Sequence, residues 1–270
     1  MVRCEDRATF RFGCTADSKR STASTLSHSV IDVVSIALIV GVAAAIYMVA
    51  GFGFALFAVP ATSFLLGVTH AVALISVLGL LTTVRQVIVL RPHIDRAVAT
   101  PLSLWAVIGM PFGLYLSAVA SDAALRIALG TSTLLAVLVM FVRRGSVTNN
   151  VWRDGFFAWV SGVLNTSIGT NGPPLVFALE GRRLRPDGFR GTLAAVFAVS
   201  GLATCALLAL DHRYENSTLV YVAVSLPTWF LGTIAGRRLA NAINEQQFAV
   251  VVRVLLVVTG VAMLISGATS

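Results

Sequence analysis

Charge is what this chain lacks first. Only 12% of its 270 residues are Asp, Glu, Lys or Arg, and none of these occurs between Val33 and Val84. As helix that stretch would reach roughly 78 Å, more than two bilayer cores of about 30 Å. With 57% hydrophobic residues and a mean hydropathy of +0.86, the composition excludes a water-soluble fold of this length. Cysteine is also scarce. Cys4, Cys14 and Cys205 are scattered with no C-x-x-C, which argues against a disulfide framework and against a zinc site. Acidic residues are confined to the N-terminal stretch, loops and segment ends, so no carboxylate proton relay crosses the core. His28, His70, His93 and His212 fall at segment ends. No set of His, Asp, Glu, Cys or Ser–His converges at one depth, so the expectation is no enzyme, no catalytic residue, no metal and no cofactor.

The net charge of +8 and pI near 10.4 would suit nucleic-acid binding only if the basic residues formed a stripe on a polar face. They sit instead in short loops between apolar runs. Nucleic acid is excluded as a partner; the lipid bilayer is the expected one. Residues 1–29 are polar, rich in Ser, Thr and Arg, and lack an apolar h-region. They read as a disordered tail rather than a signal peptide or a span.

What is present is a pair of broken apolar segments. One runs from Gly51 through Phe52, Gly53 and Phe54 to Pro60. The other runs from Gly169 through Thr170, Asn171 and Gly172 to Pro173 and Pro174. Breaks of this kind free backbone groups that hydrocarbon cannot satisfy, so they persist only inside protein or beside a watery cavity. Two in corresponding halves of one chain point to a transporter's binding site.

Ten apolar helical segments are expected near 30–50, 52–68, 71–90, 98–119, 124–142, 152–166, 172–180, 190–210, 218–236 and 246–267. The sixth and seventh are short and read as half-helices or a re-entrant pair. Either way a hairpin brings the chain back to its starting side. Arg91 and Arg96, Arg143, Arg144 and Arg153, Arg182, Arg183, Arg185 and Arg190, and Arg237 and Arg238 all fall on one side under this reading. The opposite loops carry or border only Arg126 and Arg213. Positive residues favour the cytoplasm, which sets the C-terminus outside a multi-pass inner-membrane protein. The N-terminal tail, with Arg3, Arg7, Arg11, Lys19 and Arg20, falls outside against this rule.

Each half then holds five segments, an odd number, and the second is inverted relative to the first. The fold class expected is all-α, polytopic, with two inverted repeats over 30–145 and 150–268 and broken or re-entrant helices at the start of each. A second anchor supports the duplication. Gly109 and Gly113 form a G-x-x-x-G, as do Gly232 and Gly236, a spacing that lets helix backbones approach closely. Gly109 follows Gly53 by 56 residues and Gly232 follows Gly172 by 60.

On the break ending in Pro60, the Gly-x-x-Gly-Pro-Pro run at 169–174 and these later glycines, the chain from about Ile31 to Gly267 resembles the sulfite exporter TauE/SafE family, also called the toluene sulfonate uptake permease family. It departs from the commoner first-repeat pattern in that Phe52 and Phe54 flank Gly53. The resemblance implies a two-repeat inner-membrane carrier for small sulfur-containing anions or organic acids. The expected function is therefore transport or export of small anions such as sulfite, organosulfonates or related acids. An anion channel-like pore and a structural membrane subunit are the alternatives.

The candidate substrate-binding residues follow from chemistry at the breaks. Pro173 suits a first helical turn, which Thr170 or Asn171 can cap. The N-terminus opening at Gly172 then offers N–H groups and a positive dipole end to an anion. Asn165, Thr166 and Ser167, just before Gly169, add hydroxyl and amide donors. The same residues also fit a packing kink whose polar groups satisfy one another. Gly51 and Gly53 offer backbone N–H groups at the first break, or else a close helix contact. Arg85 and Gln86 are the remaining candidates. Arg85 lies about 9 Å of helix rise from Pro92 and either reaches into the membrane or snorkels to its surface.

Overall fold

The computed structural model describes residues 31–48, 53–141, 150–180, 182, 184–242 and 245–269. The 1–29 tail, Gly51, Phe52, Arg143, Arg144 and Arg183 lie outside the described residues. Contacts divide the chain into two units, one ending at Ser35 and the other running from Ile36 to Ser270. Of the first, residues 31–35 are described, and they are helical. Apart from the first five residues of the N-terminal helix, everything below concerns the second.

Ten α-helices occur among the described residues: α1 (Ile31–Met48), α2 (Phe54–Leu66), α3 (Val68–Leu90), α4 (Arg96–Val119), α5 (Asp122–Phe141), α6 (Val151–Ile168), α7 (Gly172–Glu180), α8 (Pro186–Leu210), α9 (Asn216–Ala242) and α10 (Glu245–Ala268). Five of them, α1, α3, α4, α8 and α9, are long and apolar enough to cross a membrane. All ten expected segments are present. Their ends shift for local reasons. α2 is shorter than its apolar run because Gly53 (φ 96°) and Gly67 (φ 76°) interrupt it on either side. α4 begins where the Asp95 carboxylate accepts the Val98 N–H at 3.2 Å. α6 begins where the Asn150 side chain accepts from the N–H groups of Trp152 and Arg153. Pro186 opens α8.

Three apolar clusters hold the described helices together. One joins α1, α2 and α3 around Val40, Phe54, Val59 and Leu74. A second joins α4, α6, α7 and α8 around Leu102, Ala158, Leu175 and Phe197. A smaller third joins α1, α2, α5 and α10 around Ile46, Leu56, Val137 and Leu256. The first two each contain one short helix that follows a break. On the outside, α4 exposes Leu104, Phe112 and Tyr115, and α9 exposes Leu219, Phe230 and Leu231. Apolar faces this extensive fit contact with lipid, not water.

Glycine sets the closest helix crossings. A Cβ on Gly109 would run into the Trp159 carbonyl oxygen, one on Gly113 into that of Val163, and one on Gly162 into that of Ala106. So α4 and α6 touch backbone to backbone. The same holds for α1 and α9, where a Cβ on Gly232 would meet the Gly41 carbonyl oxygen and one on Gly236 that of Ala45. Both G-x-x-x-G pairs are therefore used as seams. α3 also packs on α8, and α5 on α10.

One buried carboxylate organises the α6–α7 hairpin. Asp154, 1% exposed, binds Arg153 at 2.9 Å and Arg182 at 2.8 Å. Asp154 lies in the first turn of α6 and Arg182 just beyond α7. Their contact shows directly that the chain returns after the break to the level at which α6 began.

Candidate functional site at the paired helix breaks

α6 stops because Gly169 adopts a left-handed conformation (φ 71°) that most residues avoid. Its N–H reaches the Asn165 carbonyl at 3.1 Å, and the Thr170 N–H reaches that of Leu164 at 3.3 Å. Space demands glycine here as well, since a Cβ would lie 2.9 Å from Val59 of α2. Ser161 Oγ donates to the Asn171 carbonyl at 2.8 Å and pins the turn. Thr170 and Ser132 of α5 share a hydroxyl hydrogen bond at 3.3 Å. α7 then opens at Gly172.

A helix start leaves its first N–H groups without partners inside the helix. Here Pro173 and Pro174 have none to offer. The donors at the tip therefore reduce to the N–H groups of Asn171 and Gly172. The dipole end remains, with two donors on it.

The first break faces this tip. Gly53 has φ 96° and precedes α2, and a Cβ there would meet open space. A Cβ on Gly172 would lie 3.4 Å from Leu56 of α2. Gly53, Thr170, Asn171 and Gly172 line one cavity of about 50 Å³. A neighbouring cavity of about 60 Å³ is lined by Asn165, Gly169, Asn171, Ser76 and Thr204. Ala55, Gly79, Asn171 and Phe197 wall both. Each has room for a few water-sized groups.

The polar groups of the larger cavity are only partly engaged. Asn165 donates one amide hydrogen to Thr204 Oγ1 at 2.7 Å. Its oxygen and second hydrogen have no partner among the described residues. Ser76 donates to the Ala73 carbonyl at 2.7 Å and meets the Tyr214 hydroxyl at 2.9 Å. Both bonds are satisfied when Tyr214 is the donor. Burial pushes the Tyr214 phenol up from its usual range, which keeps that proton in place. Among the described residues, no Asp, Glu, Lys or Arg lines either cavity. The described residues hold no His, Cys, Asp and Glu group able to bind a metal.

The sequence-based candidates separate into groups. Asn165, Gly169, Thr170, Asn171, Gly172 and Gly53 come together at these two cavities. Ser167 lines neither, and its hydroxyl donates to the Val163 carbonyl of its own helix at 2.7 Å. Thr166 likewise donates to the Met110 carbonyl at 2.7 Å. Arg85 and Gln86 line a different cavity of about 150 Å³, together with Tyr47, Met48, Arg190 and Arg237. Sequence reasoning missed Tyr47, Ser76, Phe197 and Thr204. A hydroxyl in the middle of an apolar helix, as at Ser76 and Thr204, is the signal that was available.

Described residues that are all-helical, with several helices long enough to span a membrane and two broken helices bordering a pair of adjacent cavities, make a multi-pass membrane protein of the transporter class. It belongs to the sulfite exporter TauE/SafE family, whose model matches residues 36–263. Proteins of that family are transporters and not enzymes. A relative from Cupriavidus necator, a probable sulfite/organosulfonate exporter TauE, is 28% identical over 201 residues, covering 70% of this chain and 77% of the relative. No solved structure matches the chain.

Proposed function

We propose that this protein carries small sulfur oxyanions, sulfite or organosulfonates, and holds them at the cavities between the two breaks. The observation that carries the reading is that Gly53, Asn171 and Gly172 line one cavity free of carboxylates. An anion there would be met by the Asn171 and Gly172 N–H groups, the positive end of α7 and the spare amide hydrogen of Asn165. The resemblance in sequence to a sulfite/organosulfonate exporter supports the chemical class. Uptake of labelled sulfite and sulfoacetate into proteoliposomes tests it. The expected result is saturable flux with counterflow. Flux no greater than in protein-free vesicles would remove the reading, and flux that never saturates would favour a pore.

The same reading includes an inverted repeat, residues 30–145 against 150–268. Matching α1–α5 to α6–α10 in order makes the α4–α6 and α9–α1 seams equivalent. It also makes the two G-x-x-x-G pairs that form them equivalent, and pairs α3 with α8 and α5 with α10 across the two halves. The orientation is C-terminus outside. Its support is the arginine distribution, and the two exceptions are locally neutralised: Arg126 pairs with Asp122 at 2.5 Å and Arg213 with Asp211 at 2.6 Å. A reporter fused after Ser270 is expected to show periplasmic activity and no cytoplasmic activity. The reverse pattern would overturn the orientation.

A further inference from the structure

Tyr47, near the end of α1, is 2% exposed, and its hydroxyl has no hydrogen-bond partner among the described residues. A hydroxyl that gives up water without gaining a partner is destabilising, and a native structure that keeps one needs a reason. The ring borders two hollows. One is the smaller break cavity, with Asn171 and Gly172. The other is the 150 Å³ cavity lined by Arg85, Gln86, Arg190 and Arg237. Among the residues named for the two break cavities, Tyr47 alone also borders the arginine cavity.

The arginine cavity has an unusual charge balance. Arg85, Arg190 and Arg237 arrive from α3, α8 and α9. None of them forms an ion pair with a carboxylate among the described residues. Asp187 lines the same cavity without pairing to any of the three. Among the described residues, the Arg85 guanidinium hydrogen-bonds only the Met48 sulfur, at 3.8 Å. Three guanidiniums against the single carboxylate of Asp187 leave the cavity with an excess of positive charge, a field that draws anions in from bulk solvent.

We infer that Arg85, Arg190 and Arg237 form a second oxyanion site, and that the Tyr47 hydroxyl donates to the anion as it passes between this site and the break cavity. The inference rests on the break cavity being the substrate site. It adds a place where the anion is captured by charge before it reaches a place where it is held by neutral donors. It also assigns the free hydroxyl a partner, the oxyanion in transit. The shared chemistry is a tetrahedral or planar oxyanion, so an anionic lipid headgroup could occupy the arginine cavity in place of substrate.

The experiment measures sulfoacetate flux in inside-out and right-side-out membrane vesicles and in proteoliposomes of phosphatidylcholine alone. Arg190→Gln with Arg237→Gln is expected to raise KM about fivefold or more from one face only, and to flatten its dependence on ionic strength. Tyr47→Phe keeps the ring and removes only the unpartnered hydroxyl, so the fold is retained. It is expected to leave KM unchanged and to lower the maximal rate about tenfold from both faces, as loss of a hydrogen bond to a charged ligand requires. A Tyr47→Phe protein at the wild-type maximal rate would overturn the inference. So would a KM change equal from both faces, or an arginine effect seen only when anionic lipid is present, which would assign the cavity to lipid. Asn171→Asp, run alongside, separates the two readings. If Asn171→Asp abolishes flux while Tyr47→Phe keeps the wild-type maximal rate, the relay alone falls. If Asn171→Asp is also silent, the break cavity falls with it.

Discussion

Asn171→Asp is expected to lower anion flux by at least about a hundredfold while the protein still inserts and folds. Asn171 is half-buried and walls both break cavities, so a carboxylate there would occupy the space argued to hold the substrate's charge. Two like charges about 4 Å apart repel by about 4 kcal/mol at an effective dielectric of 20, and each 1.36 kcal/mol is a factor of ten. Residual water in the cavity reduces that figure but leaves it decisive. The turn itself survives, because the Ser161 hydroxyl binds the Asn171 backbone carbonyl and not its side chain. Asn171→Ala should cost far less, since the N–H groups of Asn171 and Gly172 remain. Leu175→Ala reports on packing. Leu175 is fully buried, so its truncation should lower the melting temperature without changing which anions are carried. Proteoliposome flux, normalised to correctly inserted protein, decides the matter. A wild-type rate for Asn171→Asp would move the site to the cavity of Arg85 and Gln86.

Gly162→Val should cost the protein its fold. A Cβ at position 162 runs into the carbonyl oxygen, carbonyl carbon and Cα of Ala106. Backbone atoms cannot rotate aside as a side chain does, so α4 and α6 must separate. In a membrane, helix association depends on such close packing because lipid supplies no hydrophobic force between helices. Separating them also empties the contacts at Gly109 and Gly113 along the same seam. We expect a loss of about 3 kcal/mol or more, at the upper end of overpacking effects and a large part of a typical total stability. In detergent the variant should elute as aggregate and lack a cooperative melt. Gly188→Ala provides the comparison, because its Cβ would sit 3.5 Å from the His93 carbonyl oxygen, an ordinary contact. A Gly162→Val protein that melts with wild-type behaviour would show that the seam tolerates separation.

The helices were legible because apolar runs and their interruptions are written in composition. Hydrocarbon leaves a chain few other options. Their ends were less so. The segment expected to stop at 166 continues to Ile168, because the hydroxyls of Thr166 and Ser167 turn to helix carbonyls and do not break the helix. The same detail explains why Ser167 does not reach the cavity while Asn165 does. A linear sequence gives the depth of a polar group but not the direction in which it bonds. Arg85 shows this again: its spacing from Pro92 gives its height along α3, but not the wall it occupies. Tyr47 was invisible for a different reason. A tyrosine near a helix end is ordinary at a membrane interface. Only its burial without a partner, known from the packing, sets it apart.

The two glycine seams also bear on how the protein is made. α4 finds its closest neighbour in α6, and α1 finds one in α9. When α1 to α5 have left the ribosome, neither α1 nor α4 has yet met that neighbour, and the backbone at Gly41, Gly109 and Gly113 lacks the helix that covers it in the finished fold. α1, the first of the described helices, is completed by α9, the last but one. Insertion and folding are therefore separate events here: the helices enter the bilayer in order, but the molecule closes only when the end of the chain returns to its beginning.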